Sequence, residues 1–141
     1  MTRDEILALL SRRMAAWRAR DAAALAALHA PGGVVASPTA GVLEDRGEIE
    51  RVYRLWLTAF PDLVTREDAV IIDGNRAVQI LIVTATHAGD FFGLAPTGRH
   101  VDVQLASVMT FADGLITEER RIYDFTGLLV QVGVLKAKPS A

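Results

Sequence analysis

Cysteine is absent from the 141 residues, which removes disulfides, thiolate nucleophiles and sulfur-ligated metals from consideration. Lysine is scarce, occurring only as Lys136 and Lys138, so arginine supplies nearly all of the positive charge. The arginines are scattered and the formal net charge is -2, which leaves no basic footprint for nucleic acid or an anionic membrane. No apolar stretch is long enough, without charges, to span a bilayer. The opening residues, MTRDEILALLSRR, carry acidic side chains ahead of their apolar positions and do not read as a signal peptide. A cytoplasmic protein is the expectation. Several catalytic signatures are missing too: G-x-S-x-G, a P-loop, a Gly-rich dinucleotide fingerprint and HExxH. The three histidines, His29, His87 and His100, fall at no metal-ligand spacing, so neither a metal nor another cofactor is expected.

What is present begins with apolar content: 51% of the residues are hydrophobic, enough to bury a core and line a pocket within one domain. Residues 1–135 are expected to form that domain and 136–141 a loose tail. Thr2 and Glu5 make a capping-box pattern, and Ile6, Leu9, Leu10, Met14 and Trp17 follow at helical spacing. That helix runs to about Arg20, with Arg12, Arg13, Arg18 and Arg20 mostly on its other face. Asp21 caps a second, short helix, AAALAALHA, which Pro31-Gly32-Gly33 ends. Val34 to Ala36 read as a short strand, with a loop from Pro38 to Leu43. Asp45 and Glu48 repeat the capping pattern before a stripe of Ile49, Val52, Tyr53, Trp56, Leu57 and Phe60, closed by Pro61.

The period then changes. Leu63–Ile72, Arg76–His87, Arg99–Phe111 and Leu115–Asp124 read as four strands, joined by Asp73-Gly74-Asn75, a Gly/Pro loop and Asp113-Gly114. GLLVQVG can add a last helical turn or strand. Helices first and an antiparallel meander afterwards indicate an α+β domain, with helices packed on one face of a curved sheet. A helix bearing Tyr53, Trp56 and Phe60 can cover the concave side without filling it, leaving an apolar pocket to which Trp17 also contributes.

Alternation on the last strand puts Ile116, Glu118, Arg120, Ile122 and Asp124 on one face and Leu115, Thr117, Glu119, Arg121 and Tyr123 on the other. Both faces mix charge with apolar groups, so parity alone does not choose between them. If the first face points inward, Asp124 sits deep in an apolar pocket, where desolvation raises its pKa and makes it a general acid/base. Arg120 would then hold an oxyanion or pair with Asp124. In the other reading Asp124 caps a terminal turn beginning at Phe125. His87 is either a hydrogen-bonded bystander at a strand end or a second proton carrier at the pocket rim. Gln104 and Asp102 face solvent or a dimer partner, or anchor polar groups of a ligand. His29 and His100 read as surface residues.

The string HAGDFFGLAPTGR, the strand ending in FADGLITE, and Asp124 before FTGLLVQVG together resemble the SnoaL-like polyketide cyclases of the NTF2-like superfamily. The resemblance covers nearly the whole chain. It implies an α+β cone or barrel, usually a homodimer through the sheet, acting on an apolar polycyclic small molecule. It also implies that Asp124 is the general acid/base of an intramolecular aldol ring closure without metal or cofactor. Where many relatives carry Trp or His on the last strand this chain has Arg120 and Arg121, and the relatives include polyketide hydroxylases and non-catalytic binding modules. Fold and aspartate can be inherited while the reaction differs.

Overall fold

A computed structural model describes residues 1–136. In it the capping box closes as the sequence predicts: the Glu5 amide donates to Thr2 Oγ1 (3.2 Å) and the Thr2 amide to Glu5 Oε2 (2.7 Å), starting α1 (Arg3–Arg18). Asp21 caps α2 (Ala22–Ala27) through the Ala24 amide, and Asp45 caps α3 (Arg46–Ala59) through the Glu48 amide. The second helix is shorter than expected. Leu28 ends it and His29 already begins β1 (His29–Ser37), because the Pro31-Gly32-Gly33 run forms an irregular segment of strand instead of a helix stop.

The remaining elements are β2 (Gly41–Leu43), β3 (Val64–Asp73), β4 (Arg76–Thr86), β5 (His100–Ala112), β6 (Leu115–Ile122) and α4 (Phe125–Gln131). They form one six-stranded sheet in the order β2-β1-β6-β5-β4-β3. The four long strands make the expected meander, and Asp113 and Gly114, both with positive φ (52° and 78°), form the tight turn between β5 and β6. The sheet is mixed rather than wholly antiparallel, since β1 runs parallel to β6. A strand reached through a helix is not bound to antiparallel pairing as a hairpin partner is, and β1 lies between α2 and α3 in the chain. β2 and β3 are unpaired edges, so the sheet is an open cone and no barrel closes.

One irregularity decides which side chains face inward. Between Thr110↔Glu118 and Phe111↔Ile116 the β5–β6 register shifts, so that Thr117 is an extra residue on β6. Ile116 is buried before the shift; after it Glu119 and Arg121 are buried while Glu118, Arg120 and Ile122 are exposed. Strict alternation would have kept Ile116 and Ile122 together. The helices pack on the inner face over two clusters of buried apolar side chains, one of them around Leu25, Tyr53, Phe60, Leu81 and Leu128. The first part of the expected tail, Lys136, is exposed, and 137–141 lie outside the described residues.

Candidate active site

The larger cluster does not fill the cone. A cavity of about 60 Å³ remains under α3, walled by Trp17 of α1, by Tyr53, Trp56 and Phe60, and by Val83, Val101, Val103 and Leu105 of the sheet. Its aromatic residues form two sets of ring contacts: Trp56 meets Phe60 at 5.7 Å, Phe91 at 5.0 Å and Tyr123 at 5.8 Å, and Trp17 meets Tyr53 edge-on at 5.4 Å. The four aromatic residues expected to touch ligand, Trp17, Tyr53, Trp56 and Phe60, are thus brought to one chamber.

The polar end of the chamber consists of residues that the sequence did not single out for this role. Arg13, expected on the outer face of α1, points inward and is 1% exposed; Arg121 enters from β6. Between them lies Glu119, buried. Arg13 donates to Glu119 Oε1 (2.7 Å) and Ser107 Oγ (3.2 Å), and a second Arg13 nitrogen donates to Gln79 Oε1. Arg121 donates to Glu119 Oε2 (3.1 Å), and its guanidinium lies 4.5 Å from the centre of the Tyr53 ring. Ser107 adds a further donor to Glu119 Oε1 at 3.0 Å. Burial alone would raise the Glu119 pKa, but the Arg121 and Arg13 charges outweigh it and hold the carboxyl well below the usual carboxylate range.

His29 is also buried, against the surface position expected for it, because β1 begins at this residue and turns its ring under Tyr53. Nε2 lies 3.2 Å from the Tyr53 hydroxyl and 3.5 Å from Glu119 Oε2. Desolvation, reinforced by the neighbouring arginines and only partly opposed by Glu119, lowers its pKa to about 4. Burial pushes the Tyr53 and Tyr123 phenols upward, so both stay protonated near neutrality.

The other residues named from sequence lie elsewhere. Asp124 is exposed and caps α4, accepting the Gly127 amide at 2.8 Å, because β6 ends at Ile122 and the chain turns directly into the helix. Its carboxylate is not part of the chamber wall, and Arg120, exposed on the outer face, forms no ion pair with it. Gln104 is exposed on the outer face of β5, opposite Val103 and Leu105. His87 is fully buried behind Phe60 and Phe91, with Nδ1 2.9 Å from Thr97 Oγ1. It packs beside the aromatic wall and does not line the cavity. Among the described residues no three His, Asp or Glu side chains converge as a metal site would require.

A profile of SnoaL-like polyketide cyclases matches residues 8–132. The chain belongs to the SnoaL-like polyketide cyclase family. No curated protein matches it by sequence. Among solved structures it is similar to AclR, a candidate hydroxylase of Streptomyces galilaeus, at 30% identity and TM-score 0.84 over 98% of this chain and 91% of that one. It is also similar to IdmH, a candidate polyketide cyclase of Streptomyces antibioticus, at 25% identity and TM-score 0.74 over 89% and 96% of the two chains. An NTF2-like protein of Burkholderia pseudomallei shares the fold, with 17% identity, TM-score 0.79 and coverage of 94% and 99%. The expected α+β, NTF2-like cone is therefore the fold of this chain.

Proposed function

We propose that the chamber performs cofactor-independent ring closure on an apolar carbonyl compound of the polyketide type. The observation that carries this reading is the cavity itself, aromatic and aliphatic along its walls and ending in Arg13, Arg121 and Tyr53. An aldol closure needs an enolate carbon to attack a carbonyl carbon within the same molecule. The carbonyl electron pair moves to oxygen, and the resulting alkoxide takes a proton. Walls that hold the substrate folded bring the two carbons together, and donors aimed at the oxygens stabilise the charge as it moves. We assign enolate stabilisation to Arg121 and protonation of the alkoxide to Tyr53; solvent takes the proton lost from carbon when the enolate forms and later returns one to Tyr53. Asp124, to which the family resemblance gives the acid/base role, is assigned the cap of α4.

The test is incubation with aromatic polyketide esters and ketones, followed by mass spectrometry. Ring closure yields a product of unchanged mass with one carbonyl fewer. A product heavier by one oxygen would instead support hydroxylation, the reading favoured by the likeness to AclR at 30% identity. Saturable binding with no product across the panel would leave a non-catalytic binding module. Asp124→Asn separates the two assignments for that residue, because asparagine caps a helix about as well as aspartate and lacks the carboxylate. A folded Asp124→Asn protein that loses turnover would return Asp124 to the catalytic role.

A further inference from the structure

The donors at the polar end of the chamber outnumber the groups available to accept from them. Buried charge in this region consists of two guanidiniums, Arg13 and Arg121, against one carboxylate, Glu119. Arg13 Nε and Trp17 Nε1 are buried without a hydrogen-bond partner, and both side chains line the cavity. An unpaired buried donor is costly, and two of them beside a surplus positive charge mark the place of a missing acceptor. Glu119 does not serve as that acceptor: its oxygens take bonds from an Arg13 terminal nitrogen, Ser107 and Arg121, and from neither Arg13 Nε nor Trp17 Nε1.

Among the described residues no carboxylate or imidazole lines the chamber to generate an anion in place. The ionisable residues lining it are Arg13, Arg121, Tyr53 and Tyr123, and both phenols are held protonated by burial. We infer that the chamber receives its ligand already ionised: an apolar ring compound bearing one carboxylate or one acidic enol, its charged oxygens set against Arg121, Arg13 Nε and the Trp17 indole N–H. This rests on the proposed ring closure only in naming the ligand as substrate. For a substrate ionised as its enol, the bound anion would be the oxygen-charged resonance form of the carbon nucleophile, and no protein base would be needed to form it; a carboxylate would serve only to anchor the ligand.

The experiment is isothermal titration of the full chain with two pairs of probes matched in shape and differing in charge. These are 1-naphthoate against 1-naphthamide, and 2-hydroxy-1,4-naphthoquinone, ionised at neutral pH, against its neutral methyl ether. The expected result is binding of at least one anion about tenfold or more tighter than its neutral partner, as charged hydrogen bonds in a dry site imply. Which pair shows the preference tells whether the site takes a carboxylate or an acidic enol. Arg121→Gln should abolish the preference but strips Glu119 of a partner, so Trp17→Phe, which removes the indole N–H and keeps an aromatic ring, is measured beside it. It should reduce the preference several-fold. Neutral probes binding as tightly as the anions, or a preference unchanged in a folded Trp17→Phe protein, would overturn the inference. Binding and not turnover is read, so failure here leaves the ring-closure test standing, and failure of ring closure leaves this result standing.

Discussion

Glu119 has no access to water and two guanidiniums within 3.1 Å, so its removal exposes their charges to each other rather than to solvent. Glu119→Gln is expected to cost about 3–5 kcal/mol of stability, the range for breaking a buried pair from one side, and chemical denaturation would measure it. His29 supplies a second, pH-dependent effect. Its folded pKa of about 4 lies below the ordinary histidine value of 6.5, so on acidification the unfolded chain takes up the proton first. The stability due to neutral His29 is complete above pH 6.5 and is lost as pH falls toward 4, by roughly 3 kcal/mol at most. Urea midpoints across that interval should fall steeply in the wild type and less in His29→Gln; equal slopes would remove His29 as the cause. Neither residue was legible as part of a site. A histidine after a short alanine-rich helix and a Glu-Glu-Arg-Arg run look like solvated surface, and only the tertiary pairing of Arg13 with β6 shows otherwise. Asp124 was legible in one of its two readings: the cap is made, by the Gly127 amide.

The same lesson applies to elements. Helix starts were readable because a cap is local chemistry: Thr2, Asp21 and Asp45 each bond an amide three residues on. The inward face of β6 was not, because one extra residue, Thr117, reverses parity and its cause lies in pairing with β5. The aromatic stripe of α3 was readable as a wall, and it supports a prediction about size. The cavity of about 60 Å³ holds only a few waters by the scale on which one needs about 10–15 Å³, so a multi-ring ligand requires the wall to yield. Trp56, half-buried between Phe60, Phe91 and Tyr123, is the side chain whose truncation widens the chamber most directly. Trp56→Ala should cost roughly 2–4 kcal/mol and shift binding toward bulkier naphthalene and anthracene derivatives. Unchanged relative affinities in a titration series would show that Trp56 does not limit size. Gly89 adds a sterically defined case, since a Cβ there would run into the Thr58 carbonyl at the end of α3. Gly89→Ala is expected to lower the melting temperature, with the loop amides of Ala88 and Gly89 losing their shared acceptor, Ala59 O.

At the scale of the molecule, a chamber on one face of an open sheet leaves the other face without helices among the described residues. There Ile80, Ala106 and Ile122 lie in one row across β4, β5 and β6, with Ile71, Val78 and Val108 in the next, and Ile71 and Ile122 are 61% and 49% exposed. Contiguous apolar side chains on four paired strands form a patch of the kind that protein interfaces cover. The charged residues Glu118 and Arg120 at one side would set the register of a two-fold contact. The occupant expected from the family resemblance is a second copy of the chain. Ile80 tests this cleanly, because it lies on the opposite face from its buried neighbours Gln79 and Leu81 and does not line the chamber. Ile80→Glu should convert a dimer to a monomer in light scattering while leaving ligand affinity within about twofold, since a charge on the outer face cannot be buried unpaired between two sheets. A wild-type mass of one chain at the concentrations used for titration would remove the dimer, and loss of ligand binding along with the dimer would mean that the two faces of the sheet are mechanically coupled.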